Sequence, residues 1–68
     1  MTKRRDLVLL LTKNGFWSVG GARHEKFTNG KVTVLVKRHR EIEDIVAQKI
    51  LRQAGIGNDL YSRIRVLS

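Results

Sequence analysis

The spacing of apolar positions changes along the chain, and each change marks an element. Leu7, Leu10 and Leu11 fall at helical spacing with Val8 beside them, Thr2 stands where an N-cap belongs, and Gly15 after Asn14 is a left-handed stop. The pattern predicts a first helix over about residues 3–14. Phe16-Trp17-Ser18-Val19 is aromatic and β-branched and runs into Gly20-Gly21, which reads as a short strand closed by a turn. A second strand is expected from near Arg23 to Thr28, and Asn29-Gly30 predicts a hairpin of type I′, with positive φ at both residues. The third strand is expected over Lys31 to Val36, with Val32, Val34 and Val36 on one face and Thr33 and Leu35 on the other.

Beyond a charged bend at Lys37-Arg38-His39-Arg40, helical spacing resumes at Ile42, Ile45, Val46, Lys49, Ile50 and Ala54 and stops at Gly55. This predicts a second helix over about residues 43–54. Glu41, Glu43 and Asp44 lie at its start and Lys49 and Arg52 near its end, the polarity a helix macrodipole favours. Asn58 is a candidate cap for a last short helix through Asp59, Leu60, Tyr61, Ile64 and Leu67. The order predicts an α+β fold, an α-β-β-β-α two-layer sandwich. Its three-stranded antiparallel sheet carries both main helices on one face and turns the other to solvent or a partner. The expected core is Leu7, Leu10, Leu11, Phe16, Val34, Ile45, Ile50 and Leu51, and Trp17 suits either the core or an exposed contact.

Composition narrows the function. A chain of 68 residues makes one domain with a modest core, which argues against a deep, multi-walled active site. Without cysteine there is neither a disulfide framework nor a thiolate zinc cluster. The apolar run Leu7 to Leu11 is far too short to span a bilayer, and Asp6 with no small-residue cleavage site spoils the likeness of the basic start to a signal peptide. A cytoplasmic protein, complete from residue 1 and without membrane contact, is the expectation. The net charge of +8, from 14 Lys and Arg against 6 Asp and Glu, makes nucleic acid the first partner class. The plainer alternatives are a solvated basic surface or a subunit matched to an acidic protein.

His24 and His39 are the only histidines, and neither they nor the carboxylates at Glu41 to Asp44 have metal-ligand spacing, so no metal and no cofactor are expected. Facing carboxylates, a Gly-x-Ser-x-Gly elbow and a Walker phosphate loop are all missing. What remains is Gly21-Ala22-Arg23-His24-Glu25-Lys26-Phe27, a histidine between cations just after a flexible turn. Imidazole suits proton transfer near neutral pH, and adjacent cations suit a phosphodiester. RNA carries its own nucleophile, the 2′-hydroxyl, so a positioned base and a cationic cradle suffice to cleave it. The alternative is a surface histidine on a strand. His39, among Lys37, Arg38 and Arg40, suits phosphate binding, assistance to His24, or a structural contact at a tight corner.

Four segments together resemble the HicA family of small bacterial and phage-borne toxins: Lys3-Arg4-Arg5-Asp6-Leu7 with Leu10-Leu11; Asn14-Gly15-Phe16; Gly21 to Phe27 with Thr28-Asn29-Gly30; and Arg38-His39-Arg40-Glu41-Ile42 leading to Lys49 to Ile56. The resemblance covers residues 3–56 and leaves 57–68 as an extension of a single 1–68 domain. It implies a double-stranded-RNA-binding-domain-like fold and a messenger-RNA-cleaving endoribonuclease, with His24 as the catalytic residue. It further implies that Gly21 shapes the turn, that His39 borders the site, and that a cognate HicB-type antitoxin neutralises the toxin by covering its catalytic face. Arg23, Lys26, Lys37, Arg38 and Arg40 are the candidate phosphate-holding cations. Lys37 is a departure, since the family often has proline there. The main rival is an RNA-binding module that uses the same fold without cutting.

Overall fold

The computed structural model describes residues 1–56, so the expected short helix after Asn58 lies outside the described residues. Seven elements follow one another: β1 (Thr2–Lys3), α1 (Arg4–Lys13), β2 (Trp17–Gly20), β3 (His24–Thr28), β4 (Thr33–Lys37), β5 (Glu41–Ile42) and α2 (Asp44–Gln53). Strands β2, β3 and β4 form the antiparallel meander, and with the two helices they make the expected α-β-β-β-α layout. No helix among the described residues is long and apolar enough to cross a membrane.

Both helices end as the glycines predict. The Gly15 N–H donates to the Thr12 carbonyl and the Phe16 N–H to that of Leu11, and Gly55 and Ile56 repeat the pattern on Arg52 and Leu51. In each case the residue after the glycine is apolar and buried, so the same turn that satisfies the last carbonyls folds a side chain into the core.

The start of α1 differs from expectation. Thr2 does not cap it: Lys3 holds the cap position without a side-chain bond, and the Arg4 N–H donates instead to the Arg40 carbonyl at 2.9 Å. Thr2 is buried in β1, which pairs antiparallel with β5 (Thr2 with Ile42, Lys3 with Glu41), and its hydroxyl donates to Asp44 Oδ1 at 2.8 Å. Long-range backbone pairing thus does what a capping side chain does locally. Two-residue strands carry no periodicity, which is why this second small sheet escapes a reading by pattern.

The Asn29-Gly30 turn is also of another type. No described residue other than glycine has positive φ, which excludes the I′ form. Thr28 and Thr33 close the ladder around a four-residue loop in which Asn29 Oδ1 accepts from the N–H groups of Lys31 (2.9 Å) and Val32 (2.8 Å). The asparagine side chain substitutes for a backbone turn. As a result β4 begins at Thr33, Val32 drops out of the valine stripe, and only Val34 and Val36 face the core.

That core joins Leu7, Leu10 and Leu11 of α1, Phe27, Val34 and Val36 of the sheet, and Ala47, Ile50 and Leu51 of α2. Helix packing therefore lies on one sheet face. Ile45, expected in the core, is 64% exposed. The buried stripe of α2 runs through Ala47, Ile50 and Leu51, with the C-cap residue Ala54 partly buried against the core, and Ile45 lies two residues, about 200° of helical rotation, from Ala47. One and two turns on from Ile45 stand Gln48, Lys49 and Arg52, a polar face, whereas Ala47 is fully buried in the core with Ile50 and Leu51. Leu51→Ala is accordingly expected to cost about 2–5 kcal/mol and Ile45→Ala less than about 0.5 kcal/mol. Urea unfolding checks this, and equal losses would contradict the assignment of the stripe.

Candidate active site

The site is built where the turn between β2 and β3 meets the segment leaving β4. Gly21 lies in that turn with φ +127°, and a Cβ there would stand 2.1 Å from the His24 carbonyl oxygen. Only glycine lets the chain press so closely against the start of β3. His24 pairs with Lys37 across β3 and β4, and Arg38 Nε donates to the Gly21 carbonyl at 2.9 Å. These contacts bring Ala22, Arg23, His24, Lys37, Arg38 and His39 around one open cleft of about 460 Å³. The two histidines, 15 positions apart in the sequence, face one space with three cations.

Two expected cations are placed elsewhere. Lys26 shares the sheet face of His24 one alternate position further along β3, opposite Leu35, and does not line the cleft. Arg40 is turned away from His24: it lines a separate basic hollow with Lys3, Arg4, Arg5 and Glu41, where its carbonyl holds the start of α1. The β1–β5 pairing begins at residue 41 and redirects the chain there, a consequence of the small sheet that the charge run does not disclose.

A carboxylate that pattern and charge did not single out supports the cleft from behind. Glu25 alternates with His24 and so points to the helix-covered face, opposite Val36. It accepts hydrogen bonds from Arg4 Nη2 and Ser18 Oγ, and Arg38 Nη1 stands 3.8 Å away. Arg4 Nε also donates to the Lys37 carbonyl at 2.8 Å. One acid thus ties together the start of α1, strand β2 and the arginine that grips the Gly21 turn. The signal for it was present, because Glu25 is the sole acid in the three strands of the meander and shares the apolar side of β3 with Phe27, where a carboxylate needs partners.

The hydrogen bond from Ser18, then that from Arg4, with the charges of Arg4 and Arg38, hold the Glu25 carboxyl below the ordinary glutamate range despite partial desolvation. A lowered carboxylate pKa gives stability that is complete above the unfolded value, about 4.3, and fades as pH falls through the folded value. The urea midpoint of the wild type should therefore fall more steeply between about pH 5 and pH 3 than that of Glu25→Gln, which should already be weaker at pH 7. Parallel curves for the two proteins would contradict the network.

Chemically, the cleft offers two imidazoles for proton transfer and a fixed arginine with two further cations for an anion. Among the described residues no three His, Asp or Glu side chains gather in a way that could hold a metal ion. A family model described as the HicA toxin of bacterial toxin-antitoxin systems matches residues 4–56 of the chain. Neither a curated protein nor a solved structure matches it significantly.

Proposed function

Since this chain belongs to the HicA family of toxins from bacterial toxin-antitoxin systems, we propose that it is a messenger-RNA-cleaving endoribonuclease in which His24 is a catalytic acid or base. The observation that carries the reading is the convergence of His24 and His39 with Arg23, Lys37 and Arg38 on one open cleft. In the proposed reaction the ribose 2′-oxygen attacks the adjacent phosphorus and the bond to the 5′-oxygen breaks, leaving a 2′,3′-cyclic phosphate and a 5′-hydroxyl. One imidazole takes the 2′-hydroxyl proton and another group returns a proton to the departing oxygen. His24 fills one role, and His39, on the same cleft, is the nearest candidate for the other. The three cations offset the charge that develops on the phosphoryl oxygens.

The open, strongly basic cleft also suits neutralisation by a HicB-type antitoxin that covers it, and the substrate sets the cytoplasm as the place of action. The test is cleavage of a long single-stranded RNA in EDTA by the wild type and by His24→Ala, both shown folded by circular dichroism. Cutting by the wild type alone supports the reading. Equal cutting removes His24 from the chemistry, and RNA binding without cutting by the wild type makes the protein a binding module.

A further inference from the structure

The sheet of β2, β3 and β4 has one face covered by helices, and its other face is unlike an ordinary solvated surface. By register, Trp17, Thr28 and Thr33 stand side by side across the three strands, Lys26 and Leu35 form the next rung on that face, and His24 and Lys37 the one after. Trp17 and Leu35 remain 52% and 50% exposed, and Val19, which interrupts the β2–β3 register, is 55% exposed. Large apolar side chains gathered on one exposed face mark a binding surface. The meander's only acid, Glu25, faces the opposite way and is engaged by Arg4 and Ser18.

A flat aromatic ring and an aliphatic neighbour therefore lie among cations, with no anion on their face among the described residues. The complementary ligand has planar apolar faces joined by negative charges, the chemistry of bases and phosphates. Gly30 lies beside the rim of the indole, where a Cβ would stand 3.7 Å from it, in ordinary contact. The surface is also continuous with the cleft: Trp17 stands opposite Thr28, four residues or about 13 Å along β3 from His24, with Lys26 between.

We infer that Trp17 stacks on an unpaired base of the RNA substrate, so that a single strand lies across the open sheet face with its scissile phosphate at His24 and a neighbouring phosphate on Lys26. The inference rests on the ribonuclease reading for the identity of the ligand. Stacking on a flat side chain requires a base free of its duplex, and it tolerates any base because every base has a π-face. The face thus selects single-stranded over double-stranded RNA and extends recognition beyond the cleft.

Trp17 is the only tryptophan of the chain and so reports on itself. The probe is a single-stranded oligouridylate carrying 2′-O-methyl groups, which lacks the nucleophile and stays intact, titrated into the full chain while Trp17 fluorescence and the anisotropy of a labelled copy are followed. Saturable quenching is expected, weaker with a duplex of the same length. Trp17→Ala should bind about 5- to 150-fold more weakly, and Trp17→Phe should recover most of the loss. Both variants should be folded by circular dichroism, since the ring is half exposed. Binding without quenching, equal affinity of Trp17→Ala, or quenching by polyglutamate that RNA does not reverse would overturn the inference, the last by making the face a dock for an acidic protein. The probe cannot be cut, so the two readings fail separately. Quenching without cleavage of unmodified RNA removes the ribonuclease and leaves the stacking; cleavage at the wild-type rate by Trp17→Ala, with no quenching in the wild type, does the reverse.

Discussion

His24→Ala is expected to lower the rate of RNA cleavage by at least about 10²- to 10⁴-fold, the usual contribution of a positioned acid or base, while fold and RNA affinity stay close to those of the wild type. Fold should persist because the His24 side chain is exposed. Affinity should persist because the charge of the cleft comes from Arg23, Lys37 and Arg38, which the substitution leaves in place. Loss of rate at constant affinity separates chemistry from binding. If His39 supplies the second proton transfer, His39→Ala removes one limb of the pH–rate profile and His24→Ala the other, and the double variant loses little beyond either single one. Cleavage products from the wild type should end in a 2′,3′-cyclic phosphate, and products ending in a 3′-hydroxyl would contradict attack by the 2′-oxygen.

Gly21→Ala is expected to damage fold and site together. The residue sits at φ +127°, where a side chain adds strain of about 1–3 kcal/mol, and its new methyl group would lie 2.1 Å from the His24 carbonyl oxygen. The obstruction is backbone, so no rotamer change relieves it. Either the turn or the first residue of β3 must move, and Arg38 then loses its grip on the Gly21 carbonyl. For a domain of this size, with total stability of roughly 3–10 kcal/mol, such a loss lowers Tm by several degrees or more. Cleavage should fall even well below that Tm, because the imidazole is carried by the displaced residue. Gly15→Ala is the control: its φ is also positive, yet an added Cβ meets nothing within 4 Å. It should lower Tm and leave the rate of the folded protein unchanged. Equal rates for the two variants would show that the Gly21 contact does not position His24.

Much of this protein can be read along its chain, because the physics involved is local. Helical spacing with glycine stops placed both long helices, and alternation placed the meander, since hydrogen bonds to near neighbours and a single buried face determine them. The Gly21-to-Phe27 stretch and the bend from Lys37 to Arg40 were visible as chemistry by residue type. Local pattern left the rest undetermined. Ile45 lies at helical spacing from Lys49 and Ala47 from Ile50 and Leu51, and burial of Ala47 in the core leaves Ile45 in water. The β1–β5 pair, which replaces the cap on α1 and turns Arg40 away from His24, joins residues about 40 positions apart through two-residue strands. The clasp of Glu25 by Arg4, Ser18 and Arg38 draws on four separate segments. Meeting of His24 with His39 depends on the register of β3 against β4 and on where the chain turns after it. Spacing along the chain encodes which face a side chain takes, whereas which distant faces meet is decided by burial and pairing over the whole fold.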